Sequence, residues 1–243
     1  MPPLCLHLAL ARDASGGLEL EEESQAAYLL GSTLPDAHLL FPLRREETHF
    51  MDLACLPEEE EMERESLKAF GPLDRQGQFL AAGYLCHLET DMVWIKDIYQ
   101  PCFGPSSPLG ADPLAAVKDR ALQYELDRRE REDRAGMALV RYLLGRLKPL
   151  PAPSFLGGGS LAPWQQFILQ ATLRESDWGR FSLYAQNYLL PRGKIGPQGL
   201  EAFLQSLPAA VGELVAYVGE ERLKAFRKKA IAWSVRAAQE HLL

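Results

Sequence analysis

The stretch Gly83-Tyr-Leu-Cys-His-Leu-Glu-Thr-Asp-Met-Val-Trp-Ile-Lys-Asp-Ile-Tyr-Gln-Pro101 decides the fold. Placed on a helix, its apolar residues cover nearly every face, which is typical of a helix at the centre of a protein. The pattern predicts a buried helix from about residue 74 to residue 99, ending near Pro101. His87 and Asp91 lie four residues apart and therefore share one face. A buried imidazole and a buried carboxylate both need partners, so the stretch also predicts an internal polar site.

The rest of the chain also favours helices. Alternating Val, Ile and Thr runs are almost absent, whereas Leu, Ala, Glu and Arg dominate. The predicted fold is all-α, a multi-helix bundle. Further helices are expected over residues 21–30, 113–147, 162–174, 177–188, 197–206 and 208–241. The predicted organisation is a metal-binding helical core over 1–148, a Pro- and Gly-rich linker or long loop over 149–160, and a C-terminal helical extension over 161–243 packed on the core.

Charge and composition exclude several classes of protein. The net charge of −7 argues against a nucleic-acid backbone as the main partner. No run approaches the roughly 18 apolar residues that span a bilayer, and the N-terminus lacks the positive region of a signal peptide. The four cysteines include no CxxC pair, so neither a disulfide framework nor a thiolate zinc site is expected. The predicted location is the cytoplasm.

Four of the five histidines fall within the first 87 residues, each in an apolar setting. A single histidine on an apolar face is more often a satisfied core residue than a metal ligand. Asp36, which follows a proline, also fits a turn or a helix N-cap, and Asp91 has Lys96 and Arg75 as alternative partners. His38 is interpreted as a neighbour of the site, and His241 as an uninvolved residue near the C-terminus.

Taken together, five residues favour a metal site: His7, Asp36, His49, His87 and Asp91. Burying an unpaired carboxylate is costly, and here it would happen twice. One divalent ion bound by two histidines and two aspartates would satisfy these groups. Mixed nitrogen and oxygen ligation suits zinc, with manganese or iron as alternatives.

The order of these motifs resembles the zinc-dependent phospholipase C family and, more distantly, the single-strand-specific zinc nucleases of the same all-α superfamily. The matching pieces, spread over roughly residues 1–130, are His7, Pro35-Asp36, Thr48-His49-Phe50-x-Asp52 and Gly83-Tyr84-x-x-His87-x-x-x-Asp91. The resemblance implies one metal held by Asp36, His49, His87 and Asp91. It implies a second metal held by His7, with Asp91 as a bridge.

The family's third metal uses histidines that this chain lacks. Asp97 stands at the first of those positions, and Asp119, Gln123 and Asp127 are the nearest later candidates. Their i, i+4, i+8 spacing is also typical of a solvated helix stripe, which is the favoured interpretation. One to two ions are therefore expected, and a third, if present, would be bound mainly by oxygen.

The resemblance implies phosphodiester hydrolysis on a small phosphoester or a lipid headgroup. Asp36 is the expected carboxylate that orients the attacking water, and Asp52 the residue that orients His49. Tyr84 and Trp94 fit a pocket wall, although core packing is favoured for both. The alternative is a catalytically degenerate helical protein that keeps a structural metal and acts as a binding module.

Overall fold

The computed structural model describes residues 3–51, 56–189 and 196–241, and the side chain of Pro197 is excluded from the description. These residues form helices and contain no strand, which confirms the predicted all-α fold. The α-helices, in chain order, are α1 Leu4–Gly17, α2 Glu22–Gly31, α3 Arg45–His49, α4 Glu59–Phe70, α5 Arg75–Trp94, α6 Gln100–Cys102, α7 Ala115–Glu132, α8 Arg134–Arg146, α9 Ala162–Leu173, α10 Trp178–Tyr184, α11 Pro197–Gln205, α12 Ala209–Val218 and α13 Glu220–His241. Short 3-10 helices cover Leu34–Leu39 and Ser154–Leu156, and π-helical turns cover Ile95–Tyr99 and Ala185–Leu189.

Helix α5 lies at the centre of the bundle, as the sequence predicts. The Asp74 carboxylate caps its first turn by accepting a hydrogen bond from the amide of Gly77 at 2.7 Å. Every residue from Phe79 to Trp94 is buried, and α2 and α13 pack along the helix. Helical backbone continues from α5 through the π turn at Ile95–Tyr99 to Cys102, so the helix ends close to Pro101.

Two glycines bring α2 and α5 into close approach. A Cβ atom on Gly83 would lie 1.9 Å from the Tyr28 carbonyl oxygen, and one on Gly31 would lie 2.0 Å from the Leu80 carbonyl oxygen. Both distances are far below van der Waals contact. The two helix backbones can therefore pack this closely only because glycine has no Cβ atom at these positions. This approach sets α2, and the 3-10 helix that follows it, against the middle of α5.

The long helix predicted over residues 113–147 is wrong, because the backbone breaks at Asp133. Asp133 leaves the helical region with φ −70° and ψ 75°. Its carboxylate accepts hydrogen bonds from the Gly136 amide at 3.0 Å and from Arg12 Nη1 at 2.7 Å. The aspartate therefore starts a new helix, α8, rather than continuing α7.

The single helix predicted over residues 208–241 is also two helices, α12 and α13. Gly219 separates them with a φ of +89°, a left-handed conformation that glycine adopts without strain. Residues Glu220 and Glu221 then occupy the first turn of α13, where their charges suit the helix dipole.

The predicted linker over 149–160 is an irregular loop closed by backbone hydrogen bonds. The amide of Ala152 donates to the Gly159 carbonyl at 3.0 Å, and the amide of Leu161 donates to the Leu150 carbonyl at 2.8 Å. Beyond the loop, Trp164 of α9 and Ala238 of α13 belong to the same apolar cluster as α1, α2 and α5. The C-terminal region thus contributes directly to the central core.

Two further features agree with the sequence. Cys5, Cys86 and Cys102 are buried free thiols, and Cys55 lies outside the described residues. Within the described part of the chain, no helix combines the length and the apolar character needed to cross a membrane.

Candidate metal centre

Four separate segments bring the predicted ligands together around α5. His87 and Asp91 lie on one face of α5, and His7 reaches them from α1. His49 ends the short helix α3, and Asp36 lies in the 3-10 helix Leu34–Leu39. The three histidines and Asp91 are buried, whereas the Asp36 side chain is 22% exposed and lies toward solvent.

The Asp91 carboxylate lies between the three imidazoles. Its Oδ1 is 3.5 Å from His7 Nε2, and its Oδ2 is 3.5 Å from His87 Nε2 and 3.7 Å from His49 Nε2. Asp36 Oδ1 is 3.7 Å from the same Nε2 atom of His49. The rings of His7 and His87 stack, with centroids 3.6 Å apart and planes 6° apart. One carboxylate oxygen thus faces His7, and the other faces His49 and His87.

These distances are too long for hydrogen bonds, and the polar atoms are buried. No hydrogen-bond partner within the described residues reaches either oxygen of Asp91, either ring nitrogen of His7, or Nε2 of His49 and His87. Burying so many unpaired polar atoms would cost several kcal/mol. A cation bound among them would remove that cost.

The separations of 3.5–3.7 Å are close to those of ligand atoms around one ion. Bonds of about 2.0–2.2 Å in a tetrahedral arrangement place neighbouring ligand atoms about 3.3–3.6 Å apart. The ligand atoms form two trios, His7 with His87 and Asp91, and Asp36 with His49 and His87, each within 4.8 Å. Because His87 Nε2 has a single lone pair it can serve only one ion, whereas the two oxygens of Asp91 can serve two.

The other ring nitrogens hold two of the histidines in place. His87 Nδ1 lies 2.9 Å from the Ser32 carbonyl, and His49 Nδ1 lies 3.2 Å from the Arg45 carbonyl. Donation from Nδ1 to a carbonyl leaves the Nε2 lone pair directed at the cluster, which is the usual arrangement of metal-bound histidines. Asp52, expected to orient His49, lies outside the described residues. Within the described residues, the Thr48 hydroxyl lies 3.1 Å from His49 Nδ1.

Electrostatics keep most of the cluster in the protonation state of metal ligands. Burial, together with the charge of His87, lowers the pKa of His7. Burial, followed by the charge of Arg45, lowers the pKa of His49 well below its usual value. Burial opposes ionisation of Asp91, but the neighbouring His87 and His7 hold its pKa well below the usual range. Burial also opposes protonation of His87, yet Asp91 raises its pKa overall. His7 and His49 are thus held neutral beside an ionised Asp91, which is the protonation state that metal binding requires of these groups.

Sequence reasoning missed Arg45. Its Nη2 lies 3.6 Å from Asp91 Oδ2, and its side chain is 28% exposed, so the guanidinium connects the buried cluster with solvent. Arg45 and His49 are four residues apart on α3 and therefore share a face. That spacing was a signal available in the sequence.

His38 lies beside the cluster, as predicted. Its ring centroid is 5.9 Å from that of His49, in an edge-on orientation. Tyr84 and Trp94 are both buried in the core, with Tyr84 against Phe70 and Trp94 against Phe226. Both side chains therefore pack in the core, which is the interpretation that the sequence favoured.

Asp97 is not brought to the cluster. It lies in the π turn at Ile95–Tyr99, where both carboxylate oxygens accept hydrogen bonds from Lys229 Nζ, at 2.8 and 3.0 Å. The alternative partners suggested for Asp91, Lys96 and Arg75, are likewise not the residues that surround it.

The predicted solvated stripe on α7 is wrong, because Asp119, Gln123 and Asp127 are all buried. Asp119 accepts hydrogen bonds from Trp94 Nε1 at 3.0 Å and from Gln123 Nε2 at 2.7 Å. Asp127 accepts from the amide of Cys5 at 2.7 Å and from Arg131 Nε at 2.6 Å. These acids bond to protein donors, and Asp127 satisfies the first turn of α1.

Comparison with known proteins identifies no relative of this chain. No family model, no curated protein and no solved structure matches the chain. Inference about function therefore rests on the cluster itself. Its donor set, three imidazoles and two carboxylates of which four are buried, can hold a metal ion.

Proposed function

We propose that this chain is a metal-dependent hydrolase of phosphoester bonds. The observation that carries the proposal is Asp91, a fully buried carboxylate with no hydrogen-bond partner in the described chain and with three histidines around it. A purely structural polar cluster would pair these groups with one another at hydrogen-bond distance. Asp91 and the three histidines instead surround a common space, as the ligands of a bound cation would.

In this proposal Asp36, His49, His87 and Asp91 hold one ion, and His7 holds a second that shares Asp91. The two oxygens of Asp91 face these two groups separately, which supports a bridging carboxylate. Mixed nitrogen and oxygen donors favour zinc, with manganese or iron as alternatives. When bound, such ions act as Lewis acids and lower the pKa of a bound water.

The chain's own residues supply positioning and charge. Asp36 is the ligand that lies toward solvent, which suits a carboxylate that orients an attacking water and accepts its proton. Arg45 offers a guanidinium at the same opening, suited to the phosphate of a substrate. The resemblance to the zinc-dependent phospholipases C supports a phosphodiester, either small or part of a lipid headgroup.

A specific observation also favours a second candidate, a helical protein with a structural metal. His7, His49, His87 and Asp91 are almost completely buried, and closed coordination is typical of structural sites. In this case the ion joins α1, α3 and α5 and contributes to folding without any reaction.

Metal analysis and an esterase assay separate these candidates. The purified protein should contain zinc, manganese or iron, and should hydrolyse bis(p-nitrophenyl) phosphate or p-nitrophenyl phosphate after loading with Zn²⁺ or Mn²⁺. Substituting His87→Ala should remove metal and activity together, whereas the control Asp97→Asn, further along the same helical segment, should keep both. Loaded protein inactive on both esters would favour the structural metal. Unchanged metal content in His87→Ala would contradict the assignment of the centre.

A further inference from the structure

A second group of acids lies on the opposite side of α5. Glu89 stands between His87 and Asp91 in the sequence, so it leaves the helix in a different direction. It meets Glu59 and Glu63, which are four residues apart on one face of α4. One carboxylate oxygen from each of the three glutamates lies within 4.8 Å of the other two.

Two of these acids are buried without adequate partners. Glu89 is 0% exposed and Glu63 is 1% exposed. Neither oxygen of Glu89 has a hydrogen-bond partner within the described residues, and the same holds for Oε1 of Glu63. An unpaired carboxylate at such depth is among the most costly groups to bury.

The positive charge beside the three acids is insufficient to balance them. Arg236 of α13 contacts Glu59 closely and lies 3.8 Å from Glu63 Oε1. The guanidinium offsets one carboxylate, so with all three glutamates ionised the group keeps an excess of negative charge that a bound cation can offset.

His241 adds a nitrogen donor at the edge of the group. The sequence interpretation of His241 as an uninvolved residue is wrong, since its Nε2 lies 2.8 Å from Glu63 Oε2. His241 also lines a surface cleft of about 590 Å³, together with Glu60, Arg64 and Glu240. The acidic group therefore lies next to a solvent-filled opening through which an ion can arrive.

We propose that Glu59, Glu63 and Glu89 bind one hard divalent cation, of which Mn²⁺ is the representative, at the junction of α4, α5 and α13. Carboxylate oxygens with water and one imidazole at the edge suit Mn²⁺, Mg²⁺ or Ca²⁺ better than a soft metal. The ion neutralises Glu89 and fastens the C-terminal end of α13 to α4. This site shares no ligand with the centre formed by His7, His49, His87 and Asp91.

The experiment isolates the second site in an Asp91→Asn background, in which the first centre lacks its shared carboxylate. The full-length chain is stripped with chelator and titrated with Mn²⁺, and free Mn²⁺ is measured by electron paramagnetic resonance. Asp91→Asn should bind one Mn²⁺ per chain. Adding Glu89→Gln should weaken Mn²⁺ binding by at least about tenfold. Substituting a residue that only hydrogen-bonds to a metal ligand already lowers metal affinity by about 10–100-fold. Adding Glu61→Gln, an exposed change on α4 between Glu59 and Glu63, should leave Mn²⁺ binding unchanged.

Circular dichroism and thermal unfolding check that each variant is folded, and Glu59→Gln, at a partly exposed position, serves as a second test if Glu89→Gln unfolds. Mn²⁺ should raise the unfolding temperature of Asp91→Asn but not that of the double variant. Equal Mn²⁺ binding with and without Glu89→Gln would overturn the proposal. So would the absence of Mn²⁺ binding by Asp91→Asn, because Glu89 would then hold a proton rather than share a cation. Neither result bears on activity at the first centre.

Discussion

Single residues decide whether the cluster around Asp91 performs chemistry or only supports the fold. Four of the five proposed ligands are buried, whereas the fifth, Asp36, and the neighbouring Arg45 are partly exposed. Arg45 is close enough to Asp91 to interact with it, and burial lowers the pKa of its guanidinium. If the proposed metal centre is catalytic, a charged group held at its opening, without being a ligand, is placed to act on substrate.

Substituting Arg45→Gln should therefore separate binding of metal from catalysis. We expect metal content to stay unchanged and kcat/KM on a phosphodiester to fall by roughly 10²-fold, the usual loss when one charge-stabilising donor is removed. The matched control is Arg44→Gln, whose side chain is 77% exposed and pairs with Glu47. Equal kcat/KM in both variants would exclude Arg45 from substrate binding.

At the scale of elements, the sequence predicted α5 well because its apolar pattern, its capping Asp74 and its terminal proline agree. Other helix boundaries depend on tertiary contacts that the spacing of residues along the sequence does not reveal. Asp133 breaks α7 from α8 because its carboxylate caps Gly136 and pairs with Arg12, more than a hundred residues earlier. Gly219 was a local signal for the break between α12 and α13, but the apolar pattern continues on both sides of it and favoured a single helix.

The same distinction holds for the candidate site. Spacing along a helix predicted that His87 and Asp91 share a face, and it would also have paired Arg45 with His49. The arrival of His7, Asp36 and His49 from other segments was inferred from their apolar settings and then from the order of motifs in the family that the chain resembles. The burial of Asp119 and Asp127 could not be predicted, because their partners, Trp94 and the amide of Cys5, belong to distant helices.

The close approach of α2 and α5 predicts opposite outcomes for two Gly→Ala substitutions. Gly83→Ala would place a Cβ atom 1.9 Å from the Tyr28 carbonyl and should destabilise the fold by about 3 kcal/mol or more. Gly212→Ala, in α12 with no atom within 4 Å of the new Cβ, should stabilise it by up to about 1 kcal/mol. Chemical denaturation of both variants measures the difference. Equal free energies of unfolding would show that the two helices lie farther apart.

At the scale of the whole molecule, two cation sites on opposite sides of one helix would link most of the bundle. The proposed histidine centre would connect α1, α3 and the 3-10 helix Leu34–Leu39 to α5, and the proposed acidic site would connect α4 to α5, with His241 of α13 at its edge. A helical core that leaves several buried polar atoms unpaired is expected to be less stable without its ions. Binding of metal and global stability should therefore be linked.

Removing and restoring zinc should measure that link. Stripped protein should unfold at a lower temperature, and Zn²⁺ at about 100 times its dissociation constant should stabilise the fold by about 2.7 kcal/mol. For a chain of this size that corresponds to a rise of roughly 5–10 °C in the unfolding midpoint, measured by calorimetry across a series of Zn²⁺ concentrations. His87→Ala should lose most of the Zn²⁺ dependence, because the ion proposed to be held by Asp36, His49 and Asp91 then loses one of its two imidazole ligands, whereas Glu89→Gln should retain it. If the wild-type midpoint stays constant while calorimetric titration records bound Zn²⁺, the ion binds the folded and unfolded chains equally, and the buried cluster is not where it binds.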